Sequence, residues 1–179
     1  MIQTPDAALK LCSKRGDIKQ GGPVHLSPRS LDSHSADPDD TRLISSPYTN
    51  INNQLDLTTL DQASRLLAFA LSILRPVRTD YANASYTDAF NWLEVFQLLA
   101  SLCQQVGFQW VDRHFHVVVF RSQLREGINR DRLGLLDQKS HEEACASGGL
   151  LKYWFGSPDQ ERRNLATCKS CLIRNRVLC

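Results

Sequence analysis

A chain of 179 residues carrying a net charge of +2 has room for one domain and a tail, or for two very small domains. Hydrophobic residues make up 42% and charged residues 22%, which is ordinary globular usage. A charge so near zero argues against nucleic acid or an anionic membrane surface as the main partner.

The N-terminal stretch MIQTPDAALKLCSK lacks an apolar core and does not read as a secretory signal. The longest apolar run, Leu66 to Leu74, is interrupted by Ser72 and reaches about half of the roughly 20 residues a membrane crossing needs. The expectation is a cytoplasmic protein with no membrane and no nucleic-acid partner. Its six cysteines (Cys12, Cys103, Cys145, Cys168, Cys171, Cys179) are then expected as reduced thiols. The sequon Asn83-Ala84-Ser85 is expected to stay unmodified.

Residues 1–55 are rich in Ser, Pro, Asp, Asn and Gly and predict a disordered polar head, in which His25 and His34 are solvated. The core is expected over 59–168. A first helix is predicted over 59–75, where Leu66, Leu67, Ala70, Leu71 and Leu74 recur at helical spacing before Pro76. After the polar loop 78–88, Asp88 caps a second helix over 88–105, with Phe90, Leu93, Val95, Phe96, Leu99, Leu102 and Cys103, closed by Gly107. FHVVVF at 115–120 is β-branched and aromatic and predicts a strand buried on both faces. A helix over 132–146 follows, ended by Ser147-Gly148-Gly149, and then strands over 150–155 and 164–168 joined by the turn Gly156-Ser157-Pro158-Asp159. The last two strands can form a hairpin, with the helix over one face, which makes the fold class α+β.

VVVFRSQL (117–124), LGLLDQKSHEEACASGG (133–149), LLKYWFGSPD (150–159) and RNLATC (163–168) together resemble an uncharacterised family of fungal proteins, over roughly Leu66 to Cys168. SGGLLKYWFG is the most specific part of the match. The resemblance implies a ferredoxin-like βαββαβ order of the kind found in dimeric α+β barrel proteins, which include small monooxygenases and haem-degrading enzymes. It also implies that the chain continues past the NLATC-like strand with a second helix and further strands. Residues 169–179 depart from that pattern, so a divergent, shortened C-terminus and an incomplete core are expected, with an open sheet edge.

Several residues offer chemistry. On the helix, His141 lies four residues from both Asp137 and Cys145, so the three share a face. A carboxylate beside an imidazole can fix its tautomer and raise its pKa, which suits a catalytic base or a metal-bound His, with Asp137 orienting His141. The competing reading is a surface pair on the flank of an amphipathic helix. Arg121 leaves the buried strand where it could clamp an anion, or form a structural salt bridge. Trp154 suits the wall of an apolar ligand site, and Lys152, on the same face, suits an anionic group; core filling and solvation are the commoner roles.

Asp112, His114 and His116 alternate as metal ligands could on a strand, yet with Arg113 and Arg121 nearby no metal is expected there. Cys168-Lys169-Ser170-Cys171 has CxxC spacing but lacks the zinc partners or thioredoxin-like context that would give it meaning. The basic cluster Arg162, Arg163, Lys169, Arg174 and Arg176 reads as a solvated tail. No P-loop, Rossmann, G-x-S-x-G, HExxH or kinase signature occurs.

Two functions remain. One is a small-molecule-binding or oxygenase-like α+β barrel protein with its pocket between sheet and helix. The other is a non-enzymatic module that dimerises through the sheet, or a truncated inactive isoform. No cofactor follows from the sequence, and enzyme status stays open. A buried His141 facing a void favours the first function; an exposed His141 and an open apolar sheet face favour the second.

Overall fold

The computed structural model describes residues 41–171. The expectations for residues 1–40, including His25 and His34, and for residues 172–179 lie outside the described residues. Among the described residues, no helix is long and apolar enough to cross a membrane.

Two short strands, β1 (Arg42–Leu43) and β2 (Leu55–Asp56), pair antiparallel and are bridged by a 3₁₀ turn at Ile51–Asn53. This segment is packed, although its polar composition places it in the solvated head. Leu55 and Leu57 join the core, Asn53 is fully buried, and the Tyr153 amide donates to the Ser45 carbonyl at 3.0 Å. Composition misses this because the apolar anchors are few and spaced by polar residues whose own hydrogen bonds close the turns.

Helix α1 (Gln62–Leu71) starts where the Asp61 carboxylate accepts from the Ser64 amide at 2.8 Å. Its buried Ala63, Leu66, Leu67, Ala70 and Leu71 repeat at i, i+3, i+4, i+7 and i+8, so one stripe faces inward. A short helix α2 (Tyr86–Ala89) precedes α3 (Trp92–Gln105), which buries Val95, Leu99 and Cys103 against α1. The helix predicted from 88 therefore breaks at Phe90 and Asn91. The Asn91 side chain accepts from the Arg75 amide at 2.8 Å and donates to the Ile73 carbonyl at 3.1 Å, tying the end of α1 to the start of α3.

Strand β3 (Phe115–Gln123), helix α4 (Arg130–Ser147), and strands β4 (Leu150–Phe155) and β5 (Arg163–Cys171) complete the fold. The sheet order is β3–β5–β4, antiparallel throughout, so β5 enters between two strands linked by α4. This split β-α-β arrangement, with α1 and α3 on the other face, places the chain in the α+β class. Strands β3 and β5 run longer than the predicted 115–120 and 164–168, since their polar ends still pair. Residues 169–171, expected in the tail, belong to the central strand.

Side-chain alternation divides the sheet, with one register shift in β4 between Leu150 and Lys152. Phe115, Val119, Leu151, Trp154 and Leu165 face α1 and α3 and complete the main core. Phe120, Tyr153, Cys168 and Leu150 face α4. Helix α4 is mostly polar and contributes only His141 to the fully buried set. It ends at Gly148 and Gly149, both at positive φ (82° and 78°), where a side chain would be strained.

Candidate functional site

The space between α4 and the sheet holds a cavity of about 150 Å³ lined by Phe120, Asp137, Ser140, His141, Ala144, Leu150, Tyr153 and Cys168. Helical spacing brings Asp137, His141 and Cys145 onto one face, and the turn at Ile51–Asn53 presses against that face.

His141 is 4% exposed and lies between the rings of Tyr48 and Tyr153, each 5.3 Å away. Its Nδ1 is 2.7 Å from the Asn53 side-chain oxygen. The Asn53 amide nitrogen points to Glu142 at 3.4 Å, so the oxygen is the acceptor and His141 Nδ1 carries the proton. The lone pair is then on Nε2. Burial holds the His141 pKa below its ordinary value, against the opposing charges of Asp137 and Glu142. The imidazole is thus a neutral acceptor at neutral pH.

Asp137 does not bond His141. Both of its oxygens accept from phenols: Tyr48 on one, and Tyr153 at 2.6 Å on the other. Burial and then the Asp137 bond push both phenol pKa values upward, so the protons stay on the tyrosines. The carboxylate acts as a clamp that joins the N-terminal segment, α4 and β4. Asn53 holds the place at His141 for which Asp137 was a candidate.

Cys145 lies 3.6 Å and 3.8 Å from the two His141 ring nitrogens and donates to the Asn53 carbonyl at 3.6 Å. Burial, with help from Glu142, pushes its thiol up to about 11, so a thiolate nucleophile does not form near pH 7. Cys103 is also a free thiol, whereas Cys168 is disulfide-bonded, contrary to the expected reduced state.

The other candidates lie on the opposite face. Arg121 donates to the Ala82 carbonyl and, at 2.6 Å, to the Ala84 carbonyl, fastening the loop before α2. Trp154 packs edge-on against Phe90 at 5.0 Å and Tyr81 at 5.4 Å. Lys152 is buried and pairs across the ladder with Lys169. The structure thus brings His141 and Asp137 together and separates them by the sheet from Arg121, Lys152 and Trp154.

Asp112 and His114 precede β3, so they do not alternate with His116 along one strand. Among the described residues, no group of three or more His, Cys, Asp or Glu side chains could hold a metal ion. Tyr48 and Asn53 were missed in sequence because nothing in a polar, breaker-rich segment marks a contact 89 or 88 residues away.

The family described as PB2B2.08-like matches residues 44–171. It reaches further at both ends than the span from Leu66 to Cys168 that carries the resemblance in sequence, and it includes the CxxC stretch. The UPF0643 protein PB2B2.08 of the fission yeast Schizosaccharomyces pombe is 37% identical over 137 residues, covering 72% of this chain and 62% of that relative. The match therefore spans less than two thirds of the relative's own length. No solved structure matches. With most of the chain matched, including both sides of the α4 cavity, this protein belongs to the PB2B2.08-like family.

Proposed function

We propose that the chain binds small, largely apolar molecules in the cavity between α4 and the sheet, with His141 as the polar contact. The observation that carries this reading is a buried, neutral imidazole lining a cavity of about 150 Å³. A cavity of about this volume accepts a molecule of benzene size. Apolar walls supply affinity, and one acceptor supplies orientation. His141 Nε2 accepts from a ligand hydroxyl, and a neutral imidazole also serves as a general base on a bound acid. The Tyr48–Asp137–Tyr153 clamp fixes the walls, so the ligand does not bear the cost of ordering them.

Phenol tests this reading. Calorimetric titration is expected to show saturable binding to the full chain. Against a His141→Phe variant that remains folded, phenol is expected to bind about tenfold more weakly, the loss of one hydrogen bond of about 1–1.5 kcal/mol. Toluene, which has no hydroxyl, is expected to bind both proteins alike. Equal phenol affinity for both proteins contradicts the role of His141, and absence of phenol and toluene binding contradicts the cavity as a site.

A second reading, self-association through the sheet, has its own observation. Leu133, Leu135 and Leu136 on α4, together with Phe120 and Phe155, remain substantially exposed, and β3 has no outer partner strand among the described residues. Sedimentation at rising concentration separates monomer from dimer.

A further inference from the structure

Lys169 lies on the central strand, on the sheet face opposite the α4 cavity, and it is 2% exposed. Its Nζ is buried without a hydrogen-bond partner among the described residues. The rings of Trp92, Tyr86 and Phe90 surround it, with centroids 5.3, 5.6 and 5.6 Å away. A cavity of about 40 Å³ opens beside it, walled by Leu67, Leu71, Trp92, Phe96, Phe115 and Val117.

Among the described residues, no acidic side chain contributes to this cavity or to the ring cage. Across the ladders Lys169 pairs with Val117 of β3 and with Lys152 of β4, a second cation. The Tyr86 hydroxyl is bonded to Thr167 at 2.9 Å, and Thr167 donates to the Val118 carbonyl at 2.9 Å. Neither hydroxyl is hydrogen-bonded to the amine.

Cation–π attraction is worth about 2 kcal/mol for a desolvated pair, but an unpaired buried ammonium loses several kcal/mol of hydration and leaves three donors unbonded. Burial, reinforced by Lys152, accordingly holds the Lys169 pKa well below that of an ordinary lysine. The setting favours the free amine, with its lone pair, over the ammonium, and holds it against an apolar space.

We propose that Lys169 is a nucleophilic amine that captures small apolar aldehydes in this cavity as an imine. The Nζ lone pair attacks the carbonyl carbon, and the C=O π pair moves onto oxygen, which takes a proton from nitrogen. The resulting carbinolamine loses its hydroxyl and the second N–H proton as water, leaving a C=N bond. Nothing is oxidised or reduced. The product is neutral, which suits walls that offer no counter-anion. A water needs about 10–15 Å³ of such space, so the cavity accommodates roughly three heavy atoms, enough for ethanal or for the three carbons that propanal retains once its oxygen has left as water.

The test treats the full chain at pH 7 with propanal, fixes imines with borohydride, and maps propylated lysines by mass spectrometry. Exposed Lys139 serves as the internal reference. Lys169 is expected to label at least about tenfold faster than Lys139 in the folded chain and at an equal rate in denaturant. Pyruvate, of similar length but negatively charged, is expected not to label it. Lys169→Met, which roughly preserves the side-chain volume, is expected to remove the fast label while far-ultraviolet circular dichroism is retained. Labelling of Lys169 no faster than Lys139 in the folded wild-type chain overturns the proposal, whatever the variant does. Preferential labelling by pyruvate overturns the ligand class.

Discussion

His141 shows how a single titratable group couples the site to stability. Its imidazole is neutral in the fold because burial opposes the charge, whereas in the unfolded chain it takes a proton near its ordinary value of 6.5. Between that value and its lower folded one, the unfolded state binds more protons, so stability falls as pH drops below about 6.5. His141→Gln, which can still donate to Asn53, is expected to flatten this part of the pH profile, as read by urea unfolding at a series of pH values between about 7 and 5.5. An unchanged slope would show that the charge is not excluded.

Tyr153 tests the neighbouring clamp. Tyr153→Phe removes one donor from Asp137 and is expected to cost about 1–2 kcal/mol, toward the low end for a bond to a charged group because the carboxylate is only partly buried. Tyr48→Phe acts on the same carboxylate, so the double variant is expected to depart from additivity in denaturant titrations. The pairing of Asp137 and His141 on one face was legible from their i, i+4 spacing. The bonding pattern was not, because Asn53 and Tyr48 arrive from a segment with no apolar period.

At the scale of elements, the legible parts were those with a strong period or a continuous apolar run. Helix α1 follows from its repeating leucines and alanines, and β4 from LLKYWF, whose predicted bounds coincide with the strand. Helix α3 carries a clear apolar stripe, yet its start was misplaced because Asn91 turns the chain by side-chain hydrogen bonds that no periodicity records. Lys169 read as part of a solvated basic tail; its burial follows from strand pairing with β3 and β4, which lies far away in sequence.

The Gly156 that closes SGGLLKYWFG has a packing reason. A β-carbon there would lie within 2.5 Å of the Tyr81 ring and within 2.3 Å of its hydroxyl oxygen. Tyr81 in turn donates to the Ser157 carbonyl at 2.7 Å and packs edge-on against Trp154. Gly156→Ala must displace that ring, so a loss of about 1–3 kcal/mol and a change in near-ultraviolet circular dichroism from Trp154 are expected. Unchanged stability and an unchanged spectrum would mean that the approach is loose.

For the whole molecule, the sheet acts as a partition. One face is sealed by α1 and α3 and encloses Lys169; the other is covered by the mostly polar α4 and retains the larger cavity. Strand alternation along β5 and along β4 from Lys152 onward makes this division, and the register shift between Leu150 and Lys152 resets the faces at the start of β4. It explains why residues adjacent in sequence, Tyr153 and Trp154 among them, serve different spaces. The family match covers both sides of this arrangement, from residue 44 to residue 171, including the segment that supplies Tyr48 and Asn53.

The central claim, a neutral His141 that receives a ligand between α4 and the sheet, is tested most directly by ¹⁵N imidazole NMR at pH 7 while phenol is titrated in. The account predicts a neutral tautomer protonated at Nδ1, with the Nε2 signal moving saturably as phenol binds. An imidazolium signature, or a His141 spectrum indifferent to phenol while exposed His114 behaves identically, would contradict it.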